Sequence, residues 1–477
     1  MKSRSMMSQA QQSEPKLFYH GFSLTSRVPQ DHPLRKIKQH VDFMFIRSRV
    51  EHLYGRNGNV SVDPTVILKF MFLIFYENIK SERAFMAQLP LRLDWLWFCG
   101  YDLDDQTPDH SVLSKARKRW GRDVFSTFFA AILQQCIEAG LVDGATVHID
   151  SSMIDGNVSK DTLEPQLRLL GQKLYEDMET QSYSLDGSDG LLEQRVSDTD
   201  PDARLGQKNN ESTLGYKDHR VVDDQCGIIT ATLTTPANVH DSRMFQEAVE
   251  THQHNTGIDV EIAVADKAYG NMENYRYLKE NDIDPCIPHP VCHGKKDIAF
   301  AQEAFRYDAQ NDCYLCPAQQ RLHRYDHGKP FQGNTYRYRA ARQVCQQCQF
   351  FEKCVSSKTF GRQINRNLDA DYIHWADHAL SPSARRRLMG RRRIKAEGSF
   401  ADAANNHGFK RARWRGMIKM NIQNLLIAAI QNLRKLMRHL YRKAQKNAAT
   451  ALKTQFLEPQ LTTLSVVCFF LGEVALV

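Results

Sequence analysis

Two aspartates stand where short, β-branched apolar runs give way to loops: Asp150 closes ATVHID and Asp266 closes GIDVEIAVAD. A buried carboxylate is costly without a partner, because desolvation disfavours its charged form unless a cation or hydrogen bonds compensate. A divalent metal supplies that compensation. Two hard oxygen ligands from strand ends, joined by a third carboxylate from a helix, suit magnesium or manganese holding phosphate oxygens and water. A pair of such ions about 3.5 to 4 Å apart activates a nucleophile and stabilises a leaving 3′ oxygen in line. For the third acid Glu397 leads, since within RRRIKAEGSF it stands among cations that would draw phosphates towards a metal, and Asp402 is the runner-up. Asp155 is the local rival of Asp150, and Asp241, beside His240, that of Asp266. A lone Asp at a strand end is more often a cap or turn residue than a ligand, so the combination carries the reading.

A second constellation is made of cysteines. Cys313 and Cys316 form one C-x2-C pair, Cys345 and Cys348 another, and Cys354 follows six positions later. In a reducing compartment two such pairs read as a tetrahedral thiolate zinc site, with Cys354, His323 or His327 as alternate ligands. The rival reading is a set of buried free thiols. A closed structural zinc site would pin an insertion at about residues 290–375, between the Asp266 strand and Glu397, which lie 131 positions apart.

The elements that must position these residues are legible in part. After a polar leader, residues 1–16, the chain to about residue 140 reads as helical. DPTVILKFMFLIFYENIK offers Asp63 as N-cap, Pro64 at the first helical position and apolar residues recurring at three and four. In QTPDHSVLSKARKRWG, Asp109 or Ser111 caps a short helix showing Lys115, Arg117, Lys118 and Arg119 on its surface and ending near Gly121. The pattern then turns to strands. HRVVDDQCGIITATLTT reads as a hairpin turning at Asp224 to Gly227, and Asn271 caps a helix after the Asp266 strand. The polar stretch from Ser182 to Asn210 is expected to be mobile unless something binds it. Past Gly416 a long amphipathic helix buries Ile418, Ile422, Leu425, Ala429, Leu433, Leu436 and Leu440.

Charge is concentrated. Residues 385–446 hold 18 Lys or Arg against Glu397 and Asp402, or +16, while all 477 residues carry +8, leaving −8 for the rest. Such clustering implies a polyanion partner, and nucleic acid leads over a merely solvated face. Composition, at 42% hydrophobic and 25% charged, is that of an ordinary globular protein and excludes disorder and miniature scaffolds. The leader lacks the apolar core of a secretory signal, so a cytoplasmic location is expected. Leu461 to Val477, interrupted by Gly472 and Glu473, is marginal for a bilayer core of about 30 Å; it reads as a packed or frayed tail, residues 447–477, in preference to an interfacial anchor, because no cluster of basic residues directly flanks it.

Several blocks together resemble one family. SVDPTVILKFMFL, KSERAFMAQLPLRLDWLWFCGYDLDDQTPDHSVLSKARKR, VHIDSSMID, DPDARLGQK, LGYKDHRVVDDQCGII, TPANVHDS, VADKAYGN and AEGSFADAANNHGFKRARWRGMIKMNIQNLLIAAIQNL follow in order. They are similar to the DDE transposases of bacterial insertion sequences. The resemblance implies an α/β chain with an N-terminal helical DNA-binding domain, residues 17–140, and a ribonuclease H-like catalytic domain, residues 141–446, interrupted by the cysteine-rich insertion. It implies that Asp150, Asp266 and Glu397 hold the metal, that water nicks DNA at an element end, and that the freed 3′ hydroxyl attacks target DNA, with a homo-oligomer pairing the ends at the nucleoid. Many relatives carry a Tyr, an Arg and a Lys around the glutamate. Here Arg393 is present, but Gly390 and Ala404 occupy the Tyr and Lys positions, which leaves end contacts to Lys410, Arg411, Arg413 and Arg415. The alternative functions are an inactive DNA-binding copy acting as a repressor at element ends, and a metal nuclease that cuts without joining.

Overall fold

A computed structural model describes residues 23–55, 60–159, 163–165, 195–197, 199–208, 211–288, 300, 302–326, 335–355, 360–367 and 370–470. The polar leader, most of the 182–210 stretch, His327 and residues 471–477 lie outside the described residues. The chain is mixed α/β, with a helical N-terminal region, and divides into two compact units. The first comprises Met1–Val239, Ala248–Asp259 and Arg393–Val477; the second comprises His240–Glu247 and Val260–Arg392.

Among the described residues the first unit opens with the α-helices α1 Leu24–Arg27, α2 Pro33–His40, α3 Phe45–Val50, α4 Pro64–Tyr76, α5 Glu82–Gln88, α6 Leu93–Cys99, α7 Ser111–Trp120 and α8 Asp123–Glu138. Helix α4 starts as its sequence dictates: the Asp63 carboxylate accepts from the Thr65 N–H at 2.8 Å and Pro64 fills the first turn. It is buried on nearly every side rather than along one stripe, which makes it the central post of the helical region. Asp109 accepts from the Ser111 N–H at 2.8 Å, and α7 stops at Gly121, whose φ of 69° suits a residue without a Cβ. Lys115, Lys118 and Arg119 are exposed on α7, but Arg117 is buried. It pairs with Glu82 and lies 3.9 Å from the Trp414 ring. Helical phase explains the correction: Leu113, Ala116, Arg117 and Trp120 share the inward face.

The strands of this unit are β1 Thr146–Asp155, β2 Leu163–Pro165, β3 Arg195–Ser197, β4 Arg204–Lys208, β5 Glu211–Asp223 and β6 Ile229–Pro236. Strand β5 pairs antiparallel with β1, β4 and β6, and the β5–β6 hairpin turns where the sequence places it, with Gly227 at φ 69°. Residues 199–208 are tied down where mobility was expected. Asp200 accepts from the Tyr216 hydroxyl at 2.7 Å and from the Gly416 N–H at 3.1 Å, and Asp202 accepts from the Met417 N–H at 2.8 Å. These two acids thereby satisfy donors at the start of the helix Met417–Phe470.

That long helix buries Ile422, Leu425, Ala429, Leu433 and Leu436, with Leu440 half-buried, but Ile418 is 60% exposed. In the first turn Met417 and Met420 take the inward positions against the core, and Ile418 faces out. Four amides on the helix are also buried: Gln423, Asn424, Gln431 and Asn432. Asn432 accepts from the Ile229 N–H at 2.8 Å and donates to its carbonyl at 2.7 Å, so it bonds β6 as a neighbouring strand would. The N-terminal helices and this helix share one hydrophobic core. Among the described residues no helix is long and apolar enough to cross a membrane.

The second unit contains the parallel strands β7 Ile262–Val264 and β8 Asp284–Cys286, with the helix Met272–Glu280 between them in sequence. Asn271 caps that helix by accepting from the Asn274 N–H at 2.8 Å. A separate antiparallel sheet follows, built from β9 Arg306–Asp308, β10 Cys313–Leu315, β11 Arg321–Arg324, β12 Thr335–Arg339 and β13 Gln363–Asn367 in the order β13-β12-β11-β10-β9. Its core is small: Phe305, Tyr314, Leu322, Tyr338, Ala340 and Ile364.

Candidate functional site

Asp150 lies in the middle of β1 rather than at its end, opposite Arg220 of β5 in the antiparallel register. It is only 8% exposed, and its Oδ1 accepts from the Ser151 N–H at 2.9 Å. Directly opposed residues of a ladder share a face, so Asp150 and Ser152 of β1 face the same way as Asp218 and Arg220 of β5.

That face is covered by the segment carrying Glu397. The helix Pro382–Arg392 passes into a π-helical turn, Arg393–Glu397, and then into the helix Gly398–His407. Glu397 is exposed at the end of the π turn, a local irregularity that recurs at functional positions of helices. Both β1 and β5 contact this turn. Flanking residues anchor it. Lys395 Nζ donates to the Gln225 carbonyl at 3.0 Å, and Arg220 Nη1 donates to Ser399 Oγ at 2.9 Å. Arg220 is fully buried, pairs with Asp218 at 2.7 Å, donates to Gln431 Oε1 at 2.9 Å, and lies 4.6 and 4.8 Å from the Phe400 and Phe409 rings. Burial pushes the Asp218 carboxyl up, while Arg220 and the Thr232 hydroxyl pull it down. The pair fixes the start of the Gly398–His407 helix against the sheet. Sequence reasoning missed Arg220 and Ser399. The available signal was Asp218-x-Arg220, opposite charges two apart on a strand and so on one face; nothing in the sequence marks the π turn.

Of the rival acids, Asp402 has its carboxylate engaged by three neighbours. Asp402 accepts from Gln431 at 2.7 Å, Asn406 at 2.7 Å and Arg434 at 3.1 Å. The backbone of Asp155 pairs with the segment 410–412, accepting from the Ala412 N–H at 2.7 Å and donating to the Lys410 carbonyl at 2.9 Å. That pairing carries Lys410 onto the Asp150 face, where its Nζ donates to Ser152 Oγ at 2.7 Å.

Asp266 belongs to the second unit. It follows β7 at the carboxyl end of the parallel pair and accepts from the Ala268 N–H at 2.8 Å, capping the short turn Lys267–Tyr269. The structure thus brings the Asp150 strand and the Glu397 turn together within one unit and describes Asp266 in the other. The donor chemistry, three carboxylates, fits a hard divalent ion. Among the described residues no three His, Cys, Asp or Glu side chains are placed so as to hold a metal ion.

The basic residues separate by orientation. Arg393, Lys410, Arg411 and Arg415 are exposed, and Arg415 donates to the Asn157 carbonyl at 2.9 Å. Arg413 differs: it donates to the Ile74 carbonyl at 3.1 Å, Asn78 Oδ1 at 3.0 Å and the His407 carbonyl at 3.1 Å, with its guanidinium 4.2 Å from the Phe75 ring. Burial lowers its pKa to about 10. Arg413 is therefore an internal strap, not a free surface cation. The cysteines also separate. Cys316, Cys345, Cys348 and Cys354 line one cavity, whereas Cys313 is buried in β10, paired across the ladders with Asp308 and His323.

Two segments of the chain match known protein families. Residues 22–119 match the Transposase domain (DUF772), which takes in helices α1 to α6 and most of α7, and residues 315–437 match the Transposase DDE domain, which includes Glu397, Ser399 and Lys410. Both matched segments, together less than half of the chain, are thus similar to transposase domains. Among individual proteins the chain is similar to the transposase for insertion sequence element IS1106 from Neisseria meningitidis serogroup B, 30% identical over 115 residues, 24% of this chain and 38% of that one. The likeness thus spans well under half of that relative's length. Asp150 and Asp266 lie outside both matched segments.

Proposed function

We propose that this chain is an active transposase with a ribonuclease H-like catalytic domain, which nicks DNA at element ends and joins the freed 3′ hydroxyl to target DNA. The observation that carries the proposal is the packing of the Glu397 turn onto the strand of Asp150, inside a chain whose matched segments are both transposase domains. Asp150, Asp266 and Glu397 would hold magnesium or manganese, which when bound supplies Lewis-acid activation at a phosphodiester. The chain's own residues do the rest. The buried Arg220–Asp218 pair and Ser399 hold the Glu397 turn in place. Lys410, on the Asp150 face, offers a cation to a phosphate oxygen, and Arg393, Arg411 and Arg415 present exposed charge to the DNA backbone. In the first step water attacks a phosphodiester, and the 3′ oxygen leaves and takes up a proton. In the second, that hydroxyl attacks a target phosphodiester and gives up its proton as the new bond forms, while the target strand's own 3′ oxygen leaves and takes up a proton. The proposed setting is a homo-oligomer on paired ends at the nucleoid, and the proposed domain limits are residues 17–140 for the DNA-binding helices and 141–446 for the catalytic part. The proposal also includes a structural zinc in the cysteine-rich segment, residues 290–375. The test is an in vitro assay with magnesium on DNA carrying the element's flanking sequence. Nicked and joined products are expected. Binding without either product would leave a repressor, and nicking without joining a nuclease.

A further inference from the structure

We infer that Cys316, Cys345, Cys348 and Cys354 are the four ligands of one closed zinc site stapling the small antiparallel sheet, and that Cys313 has no part in it. The inference rests on the zinc reading proposed above and names its ligands. The four side chains line a single cavity of about 30 Å³, room for one body of about the size of a water molecule. They arrive from separate pieces of chain: Cys316 just after β10, Cys345 in the helix Arg342–Gln346, Cys348 just beyond it, and Cys354 at the end of the helix Phe351–Cys354. Most of the remaining lining is apolar, including Leu322, Val344, Phe351 and Val355. Four thiols in the wall of a small, mainly apolar cavity suit a structural ion.

Two sulfurs already accept backbone hydrogen bonds. The Gln320 N–H points at Cys316 Sγ at 3.3 Å and the Arg362 N–H at Cys345 Sγ at 3.5 Å; such donors orient a ligand. The first comes from a tight turn that holds Gln319 at φ 58°. Beside Cys345, a Cβ on Gly361 would stand 2.3 Å from the Ala340 carbonyl and 3.2 Å from the sulfur, so the close approach needs glycine. Strand alternation excludes Cys313: Tyr314 points into the small core, next to Cys316, Cys345 and Cys354, so its neighbour Cys313 points to the other face. His323, opposite Cys313, shares that other face.

Among the described residues no three metal-capable side chains already stand at ligand positions, so uptake draws the sulfurs inward by side-chain rotation. One zinc ion and four thiols give a tetrathiolate with release of four protons, so affinity falls as pH falls. Burial pushes the Cys354 thiol up and Arg362 partly offsets it. The six-residue core of this sheet is small enough for a metal staple to matter.

The test is metal analysis and cobalt substitution of the full-length chain. About one zinc per chain is expected in the wild type and in Cys313→Ser, and none in Cys345→Ser/Cys354→Ser. Because the double variant can fail to fold, Cys354→His is the second arm. It keeps a ligand, so it should retain the ion and shift the cobalt–thiolate bands. A wild type that folds without zinc, or holds iron, overturns the zinc reading itself. Zinc absent from Cys313→Ser, or cobalt bands unmoved in Cys354→His, overturns this ligand set and leaves the zinc reading standing.

Discussion

Arg411, Arg413 and Arg415 alternate along one short stretch of chain, and the alternation divides their roles. Arg411 and Arg415 are exposed, while Arg413 turns inward to the carbonyls of Ile74 and His407. Charge count alone treats the three alike. The structure predicts that Arg411→Ala with Arg415→Ala reduces the salt dependence of DNA binding by about 0.9 in slope for each phosphate no longer neutralised, with little change in unfolding temperature. Arg413→Ala should instead cost about 2–3 kcal/mol of stability by stranding buried carbonyls, with the salt slope intact. Filter binding across a salt series and a thermal melt separate the two, and a flattened slope in a stable Arg413→Ala protein would reverse the assignment. At Asp150, substitution by Ala should lower nicking and joining by at least about a hundredfold, the loss that even changes around metal ligands reach, while element-end binding persists. Binding reduced in the same proportion would make Asp150 a folding residue.

Elements whose signals are local were legible. The Asp63 and Asn271 caps, the stop at Gly121 and the β5–β6 turn each depend on residues within three or four positions. What decides the placement of Glu397 is not local. Arg220 reaches Ser399 and Gln431 across 179 and 211 positions of sequence, a distance no window of periodicity spans. Removing Arg220 alone leaves Asp218 buried without its ion-pair partner, held only by the Thr232 hydroxyl, so Arg220→Met should destabilise the chain by about 3–5 kcal/mol, and Asp218→Asn in the same chain should recover part of that loss. Ser399→Ala should cost only about 1 kcal/mol yet slow cleavage more than it weakens DNA binding, because it loosens the start of the helix that follows Glu397. Denaturation curves set beside single-turnover cleavage check this; equal loss of binding and cleavage would count against a positioning role. The buried amides of the long helix were missed for a related reason: apolar counting scores Gln and Asn as surface, and only the strand edge they meet gives them partners.

At the scale of the molecule, the sign of the charge in each stretch says more about partners than about stability, and the pH dependence of folding turns on buried groups. His252 lies in the first unit, with Nε2 3.1 Å from the Gly144 carbonyl and Nδ1 2.7 Å from the Thr230 hydroxyl, and burial lowers its pKa to about 4. A folded value below the ordinary 6.5 means that the unfolded chain takes up the proton first. Its contribution is therefore complete above about pH 6.5 and is lost as pH falls towards 4, by at most about 3 kcal/mol. His252→Gln should flatten that decline in urea denaturation measured at a series of pH values, and parallel curves for the two proteins would show that other groups dominate.

The amino-acid sequence by itself determined the caps and turns, the basic C-terminal stretch, the cysteine pairs and the resemblance to transposases, because each is written in residue type and short spacing. Tertiary structure alone decided that Glu397 ends a π turn lying on the strand of Asp150, that Arg117 and Arg413 face inward, and that Cys354 stands with Cys316, Cys345 and Cys348 where Cys313 does not. The physical reason is common to all three. Which way a side chain faces is set by helical phase, strand alternation and partners far away in sequence, and those become definite only when the chain packs.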